Sequence, residues 1–189
     1  MASKGGQRGR GNWVDAGLRT LAEGGIKAVR VEVLARELGV TKGSFYWHFR
    51  DRADLLHALL AEWEERRTDR IILDAETHGG DAAARLLRLM GAAASADSQL
   101  ELGVRTWAAV DPEAAAAVAR ADRCRVDYLV KLFCELGFTP SDANMRARAV
   151  YLTRLGQLLL PEDGLATSAD DPLRLLHAVL TKAEIWPTS

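Results

Sequence analysis

A run of hydrogen-bond donors and aromatic side chains just after residue 40 is the part of the sequence best suited to contact another molecule. Its members are Thr41, Lys42, Gly43, Ser44, Tyr46, Trp47 and His48. A lysine ammonium and a serine hydroxyl donate to base edges in the major groove of DNA, and a glycine lets a helix backbone approach the duplex. Tyrosine and histidine can donate to phosphates, which fixes register. This composition favours a helix that reads double-stranded DNA.

The preceding residues predict the helix and turn that would position this run. An apolar helical stripe ends at Leu38, and Gly39 follows it. Glycine reaches positive φ without a steric penalty, so Gly39 suits a sharp change of direction. Thr41 is the predicted N-cap of a second helix that continues through His48. The pattern predicts a helix-turn-helix over about residues 30–49.

The aromatic residues of this second helix have two readings. Phe45 and Phe49 are four residues apart and share one helical face, so we expect them in the core. A Tyr-Trp-His-Phe cluster at helical spacing is often ordinary core as well. The turn, the cap and the flanking basic residues favour the exposed, DNA-binding reading.

Residues 34–56 read Leu-Ala-x-x-Leu-Gly-Val-Thr-x-Gly-Ser-Phe-Tyr-Trp-His-Phe-x-x-Arg-x-Asp-Leu-Leu. This motif strongly resembles the tetracycline-repressor (TetR) family of bacterial transcription regulators, and the resemblance extends over about residues 7–67. It implies that residues 41–48 lie on the recognition helix and that Arg52 occupies a basic position at the start of the fourth helix. The predicted DNA-binding residues are Arg30, Thr41, Lys42, Gly43, Ser44, Tyr46, Trp47, His48 and Arg52. Glu32 departs from the family pattern and would repel the duplex.

The distribution of charge agrees with a DNA-binding N-terminal region. Residues 1–52 contain ten Lys or Arg and five Asp or Glu, although the whole chain has a formal net charge of −1. A basic end on a near-neutral protein is typical of a chain that meets phosphate with one face only. Lys4, Arg8 and Arg10 are spaced by Gly and Ser, and they predict either an arm that follows the adjacent groove or a merely flexible end.

The sequence predicts an all-α fold of about nine helices with no competing strand pattern. The three small helices of the helix-turn-helix domain, 7–67, would be followed by a helical ligand-sensing and dimerisation domain, 68–189. One long helix is predicted from Ala53 to Glu76. Predicted N-caps are Asp51, Asp81, Asp111, Thr139 and Asp171, the last three each followed by a proline.

Recognition helices usually act in pairs on a roughly palindromic site, so we expect a homodimer. The apolar stripes of the last two helices are the candidate dimer surface, and the alternative is that they are only core. The candidates are Ala147, Tyr151, Leu155, Leu158, Leu159, Leu176, Val179 and Leu180. Their apolar area exceeds what one small core needs.

The resemblance implies that the second domain binds a small-molecule effector. Large apolar and polar-tipped aromatic side chains dominate such sites. The candidates are Met90, Trp107, Cys124, Tyr128 and Phe133, and core packing explains the same residues equally well.

Catalysis is not predicted, because the common catalytic and metal-binding motifs are absent from the sequence. The four histidines are widely scattered, and no metal site or cofactor is expected. Cys124 and Cys134 are ten residues apart on one predicted helix, too far for a disulfide bond. The sequence has no apolar run of membrane-spanning length, and we expect a cytoplasmic protein with no membrane partner.

The sequence therefore predicts a DNA-binding transcription regulator. The favoured form is a dimeric repressor that a small molecule releases from its operator. An activator of the same family, and a helical small-molecule binding protein whose DNA reader is vestigial, stay open as alternatives. A redox role for either cysteine is a further open question.

Overall fold

The computed structural model describes residues 9–160 and 171–182, and these residues contain helices and no β-strand. A π-helical turn, Glu65–Asp69, joins the fourth and fifth helices without a break. If that segment is counted once, the described residues form nine helices, and the predicted all-α fold is confirmed. The helices are α1 (Arg10–Gly24), α2 (Val31–Leu38), α3 (Lys42–Phe45), α4 (Arg52–Glu64), α5 (Arg70–Thr77), α6 (Ala82–Ser95), α7 (Ser98–Ala108), α8 (Pro112–Glu135), α9 (Pro140–Leu159) and α10 (Pro172–Thr181).

The helix starts follow the predicted capping chemistry. Five of the six predicted caps, all except Thr41, accept a hydrogen bond from a backbone N–H in the first turn of their helix, which satisfies a donor that has no intrahelical partner. The acceptors are Asp51 (2.8 Å), Asp81 (2.8 Å), Asp111 (3.0 Å), Thr139 (3.3 Å) and Asp171 (3.0 Å). A proline occupies the first position of α8, α9 and α10, where a missing N–H has no cost.

The chain forms two compact units. Unit 1 contains residues 9–65 and 97–119, and unit 2 contains residues 66–96, 120–160 and 171–182. Residues 97–119, which lie in the predicted second domain, are in unit 1 with the helix-turn-helix. The first break between the units follows residue 65, and the division into a DNA-binding and a ligand-sensing domain stays a prediction.

Helix α1 packs closely against α7 inside unit 1. The two backbones approach so closely at Gly103 that a Cβ atom there would lie 2.8 Å from the carbonyl oxygen of Leu21. Only glycine fits such a contact without a shift of one helix. Leu21 is itself 1% exposed, so this contact belongs to the core of unit 1.

A buried carboxylate lies in the same unit. Glu101 on α7 is 4% exposed, accepts a hydrogen bond from Trp63 Nε1 at 3.1 Å and forms an ion pair with Arg105 at 2.9 Å. A charge that is removed from water is tolerated when it is paired and hydrogen-bonded. The contact with Trp63 joins α4 to α7.

The core of unit 2 is built from α6, α8, α9 and α10. Its central side chains are fully buried or nearly so, and they include Leu86, Leu132, Phe133, Ala143 and Ala147. Ile72 of α5 packs against this cluster. The second unit therefore has its own hydrophobic core.

Replacing Gly103 with alanine is expected to destabilise the protein by about 1–3 kcal/mol, because overpacking forces backbone or side-chain shifts. Chemical denaturation followed by circular dichroism measures the change. Gly91→Ala in α6 is the matched control, since a Cβ atom there meets nothing within 4 Å. The control is expected to be neutral or to stabilise, as alanine is the better helix former. Equal stability of Gly103→Ala and the wild type would contradict the close α1–α7 contact.

Candidate DNA-binding surface

The turn between α2 and α3 has the predicted geometry. Gly39 adopts the left-handed conformation, with φ 66° and ψ 35°. The N–H of Gly39 donates to the carbonyl of Arg36 at 3.2 Å, and the N–H of Val40 donates to the carbonyl of Ala35 at 2.9 Å. These two bonds satisfy two carbonyls in the last turn of α2, and the chain changes direction at Gly39.

Helix α3 is shorter than predicted. It ends at Phe45, and residues 46–48 form a tighter turn in which the N–H of His48 donates to the carbonyl of Phe45 at 2.9 Å. The predicted side-chain cap by Thr41 is also wrong. Ser44 N–H instead donates to the Thr41 backbone carbonyl at 3.0 Å. The tighter turn follows from the ψ of Tyr46, which is −9° rather than the value near −42° of an α-helix.

Two phenylalanines attach this short element to unit 1. Phe45 is fully buried and Phe49 is 2% exposed, as predicted. The ring of Phe45 meets Trp13 of α1 edge-on and stacks with Phe49, with centroids 5.3 Å apart in both cases. Arg10 lies 4.7 Å from the centre of the Phe49 ring. Arg10 is therefore part of α1 and of its packing, whereas Lys4 and Arg8 of the predicted arm lie outside the described residues.

The opposite side of this element is exposed, and we call it the α3 face (Lys42, Gly43, Ser44, Tyr46, Trp47 and His48). Tyr46 is 64% exposed and Trp47 is 81% exposed. The reading in which these two aromatic residues are core is therefore wrong. Ser44 and His48 are half-buried. A Cβ atom on Gly43 would meet only the Thr41 side chain, at 3.7 Å, so the fold itself does not require glycine there.

Lys42 of the α3 face pairs with a carboxylate of α2. Its Nζ lies 2.5 Å from Oε1 of Glu32, and both side chains are more than half exposed. The hydrogen bond from Lys42 lowers the pKa of Glu32, which favours the charged carboxylate. The sequence indicated Glu32 as a charge that repels DNA but did not indicate its partner, because no local spacing rule relates positions on either side of the turn.

Arg52 has partners inside the protein. Its Nε donates to the carbonyl of Val29 at 2.8 Å, and its Nη2 donates to the carbonyl of Ile26 at 2.9 Å. These bonds hold the loop between α1 and α2, which is a positioning role that the sequence did not reveal. Arg30 is exposed at the N-terminus of α2. A phosphate contact by Arg30 or Arg52 stays a prediction.

The predicted effector residues are divided between the two units. Trp107 is buried in unit 1, whereas Met90, Tyr128 and Phe133 are buried in unit 2. Cys124 is exposed on α8. Burial raises the pKa of Tyr128 to about 12, so its hydroxyl stays protonated at neutral pH. Effector contacts by this set stay a prediction.

Part of the predicted dimer surface lies in the core of unit 2. Ala147 is fully buried and Leu180 is 8% exposed, so these two side chains offer little area to a partner. The half-buried members are Tyr151, Leu155, Leu158 and Leu176. Tyr151 donates to Asp122 of α8 at 2.5 Å, which explains why its ring turns towards its own unit.

Other apolar side chains on the same two helices are exposed. Leu159 is 73% exposed and Val179 is 45% exposed, and a dimer contact by either residue stays a prediction. Leu152 and Leu175, which are not among the predicted dimer residues, are each 58% exposed.

Within residues 9–160 and 171–182, no group of three or more His, Cys, Asp or Glu side chains is placed to hold a metal ion. No helix of these residues has both the length and the hydropathy that a membrane span needs.

Residues 14–59 match the sequence model of the family described as "Bacterial regulatory proteins, tetR family". The resemblance to the TetR family is confirmed. The match includes α2, the turn and the α3 face. Over 58 residues the chain is also 34% identical to the HTH-type transcriptional regulator AcrR of Shigella flexneri, a stretch that covers 31% of this chain and 26% of AcrR. The matched stretch thus spans about a quarter of the length of AcrR.

Solved structures show the same fold over most of the chain. A putative TetR-family transcriptional regulator from Rhodococcus sp. superposes with a TM-score of 0.69 at 23% identity, covering 92% of this chain and 98% of that one. A putative transcriptional regulator from Saccharomonospora viridis in complex with choline gives a TM-score of 0.70 at 21% identity, covering 90% and 92%. Both units therefore have counterparts in this TetR-type fold.

Because Phe45 is buried and Trp47 is exposed, their alanine substitutions are expected to differ strongly in their effect on stability. Phe45→Ala is expected to cost about 3–5 kcal/mol, because it leaves a cavity between buried rings. Trp47→Ala is expected to change stability by no more than about 0.5 kcal/mol, as usual for an exposed side chain. Urea denaturation of both variants checks the contrast, and similar losses in the two would contradict the assignment of Phe45 as the anchor and Trp47 as surface.

Proposed function

We propose that this protein is a sequence-specific DNA-binding transcription regulator with no catalytic activity of its own. One observation carries the proposal: Phe45 holds α3 in unit 1 so that Lys42, Tyr46 and Trp47 project from the surface. Lysine reads guanine O6 and N7, and a tyrosine hydroxyl reaches phosphates. Trp47 beside them is 81% exposed and is not part of the core. A major groove about 12 Å wide accepts such a helix.

The glycine of the α3 face supports the same function. Gly43 lies next to Lys42, and space for a Cβ atom is available. Glycine costs stability in a helix relative to alanine. A close approach of the α3 backbone to a duplex gives a physical reason for glycine at a position where the protein alone does not need it.

We further propose a homodimer whose two recognition elements bind successive major grooves. The exposed side chains of α9 and α10, including Leu152, Leu159 and Leu175, are the surface that would be covered. Such a dimer reads half-sites about 34 Å apart. We favour a dimer that acts as a repressor in the cytoplasm.

The effector part of the proposal rests on the family resemblance. The relative from Saccharomonospora viridis was solved with choline, which shows that a protein of this fold holds a small molecule. For this chain we propose an unidentified effector that binds the DNA-free state more tightly than the DNA-bound state. Only such differential affinity releases DNA.

Selection of duplexes from a random DNA pool at physiological salt, with purified protein and no added ligand, tests the DNA-binding function. We expect enrichment of a palindrome with half-sites about one helical turn apart. Binding that weakens with salt but enriches no sequence would show electrostatic attraction alone. That outcome would favour the alternative of a small-molecule binding protein with a vestigial reader.

Gly43→Ala separates DNA binding from stability. The variant is expected to fold at least as well as the wild type, because a Cβ atom fits and alanine favours a helix. Its affinity for the selected duplex is expected to fall about tenfold or more, equivalent to about 1.4 kcal/mol. Fluorescence anisotropy with labelled duplex measures this loss.

Gly91→Ala, outside the helix-turn-helix, is the control and is expected to bind like the wild type. Wild-type affinity in Gly43→Ala would show that the α3 backbone does not approach DNA at this position.

A further inference from the structure

The ion pair between Glu32 and Lys42 is poorly explained by fold stability. Both side chains are flexible and more than half exposed, at 59% and 57%. Exposed pairs of this kind contribute little to folding, because water and salt screen them and because ordering two long side chains costs entropy. A role for this pair is therefore to be sought on the surface where it lies.

The pair lies within the proposed DNA-binding surface. Lys42 opens α3 next to Gly43, and Glu32 is in the first turn of α2. The Nζ–Oε1 distance of 2.5 Å means that the lysine ammonium already has an acceptor before DNA arrives. A lysine ammonium has three N–H donors, so Lys42 can donate to a base edge from the position in which Glu32 holds it, without leaving the carboxylate.

The carboxylate has a second effect on the duplex. Glu32 is ionised at neutral pH, as an ordinary glutamate is, and the hydrogen bond from Lys42 lowers its pKa further. Phosphates carry the same sign of charge at every position of every sequence, so this repulsion weakens binding to all duplexes. Only a sequence with suitable base edges offsets it, since guanine O6 and N7 accept from lysine and cytosine N4 donates to a carboxylate.

We propose that Glu32 is a specificity-determining residue. It holds Lys42 in one position and lowers the affinity for every duplex that offers no base edge able to accept from Lys42 there. Glu32 then discriminates by weakening binding to wrong sequences rather than by adding affinity for the right one. A C·G base pair presents both of the required groups, the guanine acceptors for Lys42 and the cytosine amino group for Glu32. The inference rests on the proposed DNA-binding function.

Glu32→Gln tests the inference, because glutamine keeps the size of the side chain and one acceptor oxygen but removes the charge. Affinities are measured by anisotropy for the selected duplex and for a scrambled duplex of equal length and composition, at one ionic strength. We expect the affinity for the scrambled duplex to rise about threefold or more through lost repulsion of phosphates. The affinity for the selected duplex is expected to rise less, so the ratio of the two affinities falls.

Glu37→Gln is the matched control. Glu37 is also on α2, and its substitution changes the net charge by the same amount, but it pairs with Arg19 of α1 at 2.8 Å rather than with Lys42. This variant is expected to strengthen binding to both duplexes by the same factor and to leave the ratio unchanged. A fall of the ratio in Glu37→Gln equal to that in Glu32→Gln would reduce the effect to net charge and overturn the inference.

A second variant isolates the contact itself. In a Lys42→Ala background, Glu32→Gln is expected to lower the ratio of affinities by less than it does in the wild-type background, because the lysine that the carboxylate holds is gone. Persistence of the full effect in that background would overturn the role assigned to the pair. Both residues are exposed, and a thermal melt of each variant verifies that the fold is retained.

The outcomes for the two proposals are distinguishable. If the wild type enriches no sequence from the random pool, the proposed function and this inference fail together. If the wild type enriches a sequence and Glu32→Gln retains the wild-type ratio, only the role of Glu32 fails. A lowered ratio that depends on Lys42 supports both.

Discussion

The burial of Phe45 is the contact on which the α3 face depends. A helix of four residues has no stability of its own, because the first turn fixes several dihedral angles for a single hydrogen bond. Phe45 supplies the missing stabilisation by packing against Trp13 and Phe49. Since one side of so short an element faces the core, Tyr46 and Trp47 must face outward. The exposure of the proposed reading residues is therefore a consequence of the anchor.

Polar contacts then fix the elements around this anchor, and they differ in how easily DNA could replace them. Arg52 binds two backbone carbonyls of the α1–α2 loop, and Glu37 binds Arg19 across α1 and α2. These contacts hold the scaffold. The pair of Lys42 with Glu32 lies on the α3 face itself, where base edges and phosphates offer competing partners. Polar contacts of Arg52 and Glu37 thus hold the surface in position, whereas the polar contact of Lys42 is the one proposed to affect sequence selectivity.

The scaffold of the proposed DNA-binding unit also includes a segment distant in sequence. Helix α7 contacts α1 through Gly103 and Leu21, and the buried Glu101 joins it to Trp63 of α4. Residues 97–119 therefore belong to the same compact unit as α3, although they follow it by more than 50 positions in the sequence. A substitution in α7 that disturbs these contacts is therefore expected to change the stability of unit 1.

Local sequence determined the helices, their caps, the left-handed turn at Gly39 and the inward position of Phe45, because apolar spacing, capping and positive φ are properties of neighbouring residues. Tertiary structure alone decided that α3 ends at Phe45, that Arg52 binds the α1–α2 loop and that Lys42 meets Glu32. It also placed α7 in unit 1 and Ala147 in a core. These outcomes join residues that are distant in the chain or on separate helices, and their energies depend on packing and on charge partners that no local pattern specifies.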